Sequence, residues 1–281
     1  MTHKPQPKRS SYALRRLLAH FVPFSHLQQA PHSGTVEELR IATADGINLA
    51  ATLLPRRRRS LVIVCHGFGS NQYASSIVWL AEQLAGPYDV LTFDWRGYGL
   101  SEGFASLGGA EALDLAAVLA AARGMGYRYV AVVAESMGGL ITLATLGAAA
   151  ADPAFPMPNA VATLAAPADY ELTAGLRPQL VKYVAPTPWL RPVAPLLGFR
   201  LGEVQLPRPL DVVAAIPGPL LITHGDRDNT VPVRSAYLLN ERRPASTLRI
   251  YPGVDHAIIG MRAKAPRVLL QDLRELLHRM G

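Results

Sequence analysis

The 281-residue chain has a single cysteine, Cys65. One thiol excludes an intrachain disulfide and suits a reducing compartment such as the cytoplasm, so packing must stabilise the fold. Charged residues make up only 17% of the chain, and acids are missing altogether before Glu37. No apolar run approaches the roughly 20 residues that a membrane-spanning helix needs. Neither H-E-x-x-H nor C-x-x-C occurs and no other metal-ligand spacing is visible, so no metal or cofactor is expected. Internal repeats and low-complexity segments are lacking too.

The formal charge of +7 invites a nucleic-acid reading, but the charge is unevenly placed. Lys4, Lys8, Arg9, Arg15 and Arg16 lie in the acid-free first stretch, and Arg56, Arg57, Arg58 and Arg59 form one further run. Setting these nine aside leaves 19 basic against 21 acidic residues, a net of −2. The body of the chain is therefore not basic. No zinc-finger spacing, aromatic RNA-binding signature or extended basic helix accompanies the charge, and no nucleic-acid partner is expected. The arginine run sits between strand-like segments and reads as a solvated turn.

Residues 1–36 stand apart. In "YALRRLLAHFV", Leu14, Leu17, Leu18, Phe21 and Val22 share one helical face, with Arg15 and Arg16 opposite. The stretch is a poor signal peptide, because its apolar part is short, is broken by His20 and Pro23, and lacks a clear cleavage site. Two readings stand open: a helix docked on its own domain or a frayed tail, and a basic amphipathic element in which residues 12–22 lie on a membrane surface.

From Leu39 the pattern changes, and residues 37–281 are expected to form one domain. "ELRIATADGINLAATLLP" alternates on either side of Asp45-Gly46, a hairpin signal. Short apolar runs follow: "LVIVCHG", "DVLTFDW", "YVAVVAE", "AVATLAA", "PLLITHG" and "TLRIYPG". Helical stretches such as "SIVWLAEQLAG" and "AEALDLAAVLAAARGMG" separate several of them, and "APRVLLQDLRELLHRM" closes the chain. This pattern predicts an α/β fold with a mainly parallel central sheet and helices on both faces. Residues 169–210 break the rhythm with seven prolines and with Tyr183, Trp189 and Phe199. A segment this long is either a functional lid or cap or an irregular cover across the sheet edge.

Sites in open parallel sheets form beyond the carboxyl ends of the strands. There the chain carries, in order, "HGFGSN", "DWRGYGLSEG", Ser136 followed by "MGG", "DRDNTVP" and "DHAIIG". From about Leu39 to the C-terminus this set resembles the α/β-hydrolase superfamily, with the serine esterases and monoacylglycerol-lipase-like members nearest in pattern. In "VVAESMGG" the small residues Ala134 and Gly138 flank Ser136 as a tight strand-to-helix turn demands. The usual first glycine of that pattern is alanine here.

The resemblance implies Ser136 as nucleophile, His256 of "GVDH" as general base and His224 as a structural hydrogen-bonding residue. Asp228 is the implied acid that orients the imidazole, with Asp226 beside it and Asp169, after the preceding strand, as runner-up. The oxyanion donors implied are the backbone N–H groups of Phe68 and Met137. Adjacent strand residues face opposite sides, so Cys65 and His66 are a poor nucleophile–base pair, and Cys65 reads as a buried hydrophobe. The G-x-G of "DWRGYGLSEG" does not open a helix at once, which argues against a dinucleotide fingerprint. By the same resemblance Asp94 and Arg96 hold turns there.

The function expected is a serine hydrolase cleaving carboxylic esters of small-molecule substrates through an acyl-enzyme. Medium-chain or monoacylglycerol-like esters are the favoured class, with Trp189, Leu196, Leu197 and Phe199 of the insert in the acyl pocket. Thioester, amide or acyl-transfer chemistry would use the same residues, and a ligand-binding member with little turnover is the reading from another class.

Overall fold

The computed structural model describes residues 29–174, 192, 194, 195 and 198–279. The amphipathic stretch 12–22 lies outside the described residues, as do Trp189, Leu196 and Leu197. Eight strands form one sheet: β1 Glu37–Ala42, β2 Asn48–Leu54, β3 Ser60–Cys65, β4 Asp89–Phe93, β5 Tyr129–Glu135, β6 Ala160–Leu164, β7 Leu220–Gly225 and β8 Thr247–Tyr251. Their order across the sheet is β1-β2-β4-β3-β5-β6-β7-β8. The first two strands run antiparallel to their neighbours, and from β4 onward every pair is parallel. The β1–β2 turn forms where Asp45-Gly46 predicts it, with Gly46 at φ 82° and the Thr43 N–H donating to Ile47 O at 2.9 Å.

The helices of two turns or more among the described residues are α1 Ser75–Leu84, α2 Glu111–Gly124, α3 Ser136–Ala148, α4 Arg234–Arg242, α5 Ala257–Lys264 and α6 Pro266–His278. The period of two along each strand divides the core between the two sheet faces. Leu61, Ile63 and Cys65 of β3 and Val130, Val132 and Ala134 of β5 pack with Leu115, Val118 and Leu119 of α2 and Leu140, Ile141 and Leu143 of α3. Val62 and Val64, with Ala131 and Val133, face the other way, against Ile77 and Leu80 of α1 and Leu269, Leu273 and Leu276 of α6. Cys65 is fully buried in the first of these clusters, and burial pushes its thiol pKa up. No helix among the described residues is long and apolar enough to cross a membrane.

Polar groups in the loops serve the fold. The buried Asp94 carboxylate accepts the Gln72 N–H at 2.7 Å and the Leu100 N–H at 2.8 Å, tying the segment after β3 to the turn after β4. Arg96 is also buried. Its guanidinium donates to Asp114 of α2 at 2.8 Å and to Asp45 of the β1–β2 turn at 2.7 Å. The arginine run forms a turn between β2 and β3 with Arg57, Arg58 and Arg59 exposed, and the backbone N–H groups of Arg56 and Arg58 donate to Asp89 at 2.8 and 2.9 Å. Ahead of β1, the Ala30 N–H donates to Tyr73 O at 2.9 Å, so that end of the extension lies along the segment entering α1.

Burial pushes the Asp114 carboxyl up to about 7 against the downward pull of Arg96. Replacing Arg96 by Met removes that pull and leaves a buried carboxyl without its cation. The expected cost is about 3–5 kcal/mol at neutral pH, whereas Asp45→Asn, at a half-exposed position, costs under about 1 kcal/mol. An acid whose folded pKa is raised stabilises the fold below its unfolded pKa, about 3.9, and loses that contribution as pH rises through the folded value. The deficit of Arg96→Met is therefore flat between about pH 5 and the parent Asp114 pKa of about 7 and grows above it, where the variant carboxyl alone is still protonated, as urea denaturation at each pH measures.

Candidate active site

Four strand ends converge on one point: β3, β5, β7 and β8. Ser136 follows β5 directly and opens α3 with φ at 48°, a left-handed conformation that a residue with a Cβ rarely adopts. The turn is close to its neighbours on both sides. A Cβ on Gly138 would stand 2.6 Å from the His66 carbonyl oxygen, and one on Gly67 would stand 3.1 Å from the Ser136 Cβ. The loop carrying Phe68 therefore passes directly beside the serine, and Met137, 7% exposed, begins the helix on the other side. Ala134 sits at full burial one residue before the end of β5, where a methyl group fits the core.

The turn after β8 carries His256, whose Nε2 lies 2.9 Å from Ser136 Oγ and whose Nδ1 lies 2.6 Å from Asp228 Oδ2. A carboxylate only accepts, so Nδ1 carries the proton and Nε2 is left to accept from the serine hydroxyl. Asp228, after β7, is held by the Thr230 and Val231 N–H groups on Oδ1, both at 2.8 Å. His224 donates from Nε2 to the Val231 carbonyl at 2.8 Å and stands 3.4 Å from Asp228 Oδ2. Burial alone would raise the Asp228 pKa. The hydrogen bonds from His224 and His256 overcome it and hold the carboxyl well below the usual range.

The other candidate acids are engaged elsewhere. Asp226 accepts the Gly253 N–H at 2.6 Å, and Asp169 pairs with Arg208 at 2.8 Å and with the Glu171 N–H at 3.0 Å. His66 is fully buried with Nδ1 2.8 Å from the Gly67 carbonyl, and its Nε2 accepts the Trp95 N–H at 3.3 Å. Burial lowers its pKa, so it braces the Phe68 loop as a neutral ring.

Of the insert residues expected in the acyl pocket, Phe199 lies among those described. It is 2% exposed, stacked on Tyr98 at 5.2 Å and edge-on to Phe68 at 4.9 Å. The Tyr98 hydroxyl in turn reaches Met137 Sδ at 3.3 Å. Among the described residues no group of three or more His, Cys, Asp or Glu side chains is arranged to hold a metal.

Glu135 was given no role in the sequence reading. Its side chain is buried, Oε1 accepts the Gly67 N–H at 3.2 Å, and Oε2 accepts the Ile258 N–H at 3.4 Å. The one signal for it is an acid at the end of an otherwise apolar strand run.

The model of the Alpha/beta hydrolase family matches residues 62–267. The chain belongs to the α/β-hydrolase family. No curated protein matches the sequence. Among solved structures, an esterase from Pyrococcus furiosus is similar with a TM-score of 0.67 and 22% identity, over 89% of this chain and 94% of that one. An esterase from Rhodococcus sp. ECU1013 gives 0.66 and 18%, over 87% and 99%. A serine hydrolase from Xanthomonas campestris, described as lacking a lid, gives 0.56 and 21%, over 89% and 96%. At these identities the likeness is one of fold, and the α/β-hydrolase architecture matches over nearly the whole of each.

The crowding at Gly138 and the open surroundings of Gly124 give opposite expectations for the same substitution. Gly138→Ala forces a methyl group onto backbone and is expected to destabilise by about 1–3 kcal/mol. Gly124, in the last turn of α2, has nothing within 4 Å of its added Cβ. Gly124→Ala should therefore stabilise by up to about 1 kcal/mol. Thermal denaturation of the two variants tests both signs.

Proposed function

We propose that the chain is a serine hydrolase that cleaves carboxylic esters through an acyl-enzyme intermediate. The observation that carries this reading is the unbroken chain of hydrogen bonds from Ser136 Oγ through His256 to Asp228, 2.9 and 2.6 Å long. A hydroxyl is a weak nucleophile at neutral pH, and an imidazole nitrogen that accepts its proton activates it. Ser136 Oγ attacks the ester carbonyl while its proton passes to His256 Nε2. The N–H groups of Phe68 and Met137 receive the developing oxyanion. His256 then gives the proton to the departing alkoxide. Water, deprotonated by the same nitrogen, attacks the acyl-enzyme and releases the acid.

The substrate class proposed is esters of medium-length acyl chains. Phe68, half-buried beside the serine, presents an apolar ring, and the buried Phe199 and Tyr98 back it next to Met137. Each methylene buried against such a surface contributes about 0.8 kcal/mol. The esterases of like fold from Pyrococcus furiosus and Rhodococcus support ester chemistry in general.

A fluorophosphonate probe is expected to label Ser136 alone. Ser136→Ala should abolish labelling and lower nitrophenyl-ester turnover by roughly 10⁴-fold or more. Activity of the alanine variant within tenfold of the parent would remove the assignment. Asp228→Asn should cost on the order of 10⁴-fold in kcat, far more than Asp226→Asn or Asp169→Asn. Across an ester panel from acetate to decanoate, Phe199→Ala, which removes the buried ring packed behind Phe68, should flatten the rise of log kcat/KM with chain length while changing acetate least. An acetate-preferring parent or an unchanged slope would remove the medium-chain proposal.

A further inference from the structure

Glu135 is an acid in the least hospitable part of the molecule. It ends the central strand β5, is 6% exposed, and directly precedes Ser136. It occupies the N-cap position of α3 but makes no cap bond to its own helix. Its two oxygens diverge instead. One takes the Gly67 N–H of the loop that carries Phe68, and the other takes the Ile258 N–H two residues beyond His256. Ala257 between them adopts φ 52°, so the backbone leaving His256 is itself constrained.

Resting on the hydrolase reading of the site, we propose that Glu135 is a positioning residue that holds the Phe68 loop and the His256 turn at a fixed spacing on either side of Ser136, and that its carboxylate charge stabilises the protonated His256 imidazole.

A carboxylate suits this post because both its neighbours are donors. A protonated acid would turn an O–H toward one of two N–H groups that need an acceptor. Burial raises the Glu135 pKa above the ordinary carboxyl value, and the Gly67 N–H, the charge of His256 and the Ile258 N–H offset only part of that rise. The charged and titratable groups around it are His256 after β8, with Asp228 and His224 behind that ring on β7 and its loop. The β3 side contributes the neutral His66, while Asp255 on the outer side is paired with Lys264 at 2.8 Å. Asp228 is bonded to the imidazole, and Glu135 is bonded to the backbone two residues beyond it. Glu135 acts on the ring through the backbone and through space.

The two roles separate in two variants. Glu135→Gln keeps the reach but loses the charge and turns an NH2 donor toward one of the two N–H groups, whereas Glu135→Asp keeps the charge and both acceptors and is too short to bridge both loops. Each is measured by the pH dependence of Ser136 labelling with fluorophosphonate and by kcat and KM on a nitrophenyl ester, after thermal denaturation has checked the fold. Glu135→Gln should shift the acid limb of labelling, which reports His256, about half a pH unit or more lower, because the ring loses a stabilising anion. Glu135→Asp should leave that midpoint in place but lower kcat by roughly 10- to 100-fold, with KM within about threefold, through misplacement of the loops.

A Gln variant labelled within twofold of the parent at every pH overturns the proposal, and so does an Asp variant with parental kcat. Loss of the folded state in both variants also overturns it, since Glu135 would then be needed by the fold and not by the site. These results all presuppose a parent that the probe labels. An unlabelled parent removes the hydrolase reading itself, and Glu135 with it.

Discussion

The site depends on one constraint: a serine held at φ 48° at the carboxyl end of a central strand that is buried from Val130 onward. A residue with a side chain does not stay in that conformation unless its surroundings over-determine it. Here the strand fixes the entry through its pairing with β3 and β6, and α3 fixes the exit. Between them no room is left at Gly138 for another atom, and little at Gly67. The strain lifts the hydroxyl out of the sheet plane, and the crowding brings two separate loops against it. The close approach of His66, Gly67 and Phe68 to Ser136 follows from the turn and needs no further organisation.

Much of this was legible in the sequence, because the fold writes its functional residues at strand ends. Apolar runs of five to seven residues bounded by Gly, Asp or Pro gave six parallel strands in order, and the Asp45-Gly46 hairpin gave the antiparallel edge. Ser136, Asp228 and His256 each follow such a run, so their meeting at 2.9 and 2.6 Å required only the parallel topology. The residues that were not legible act across long sequence separations. Glu135 reads locally as a strand end and shows its purpose only when Gly67 and Ile258 arrive beside it, 68 and 123 residues away. The tautomer of His66 likewise depends on Trp95, 29 residues on. Phe199 was expected in the acyl pocket because it is apolar in an insert. That it would be fully covered by Tyr98 and Phe68 had no local signal.

The segment "DWRGYGLSEG" shows how a motif with glycines and charges can be wholly structural. Asp94 collects N–H donors from both sides, and Arg96 spans Asp45 and Asp114. Such buried charges are strained bargains in solvation terms, since each must find partners that replace water. Their effect is to lock the turn after β4 to the β1–β2 hairpin and to α2. That locked turn carries Tyr98, the residue against which Phe199 stacks. The insert's return segment is seated on the same platform, with the Ala105 N–H donating to Arg200 O at 2.7 Å and the Gly202 N–H to Ala105 O at 2.8 Å.

The order of strands across the sheet then divides the site in two. With β5 and Ser136 near the centre, Phe68 after β3, Tyr98 after β4 and the returning Phe199 stand on one side, and Asp228 after β7 and His256 after β8 stand on the other. On the hydrolase reading, the apolar acyl group is directed toward the aromatic side and the proton moves on the side of the imidazole. On the same reading, an apolar surround on that side would strengthen hydrogen bonds to an oxyanion, while the partly exposed His256 ring keeps a carboxylate in direct contact. Glu135 lies beneath the boundary between the two halves and is bonded to both. Its two hydrogen bonds are made to backbone and so depend on where the loops are and not on which side chains they carry, which is why the proposed positioning role falls to this carboxylate.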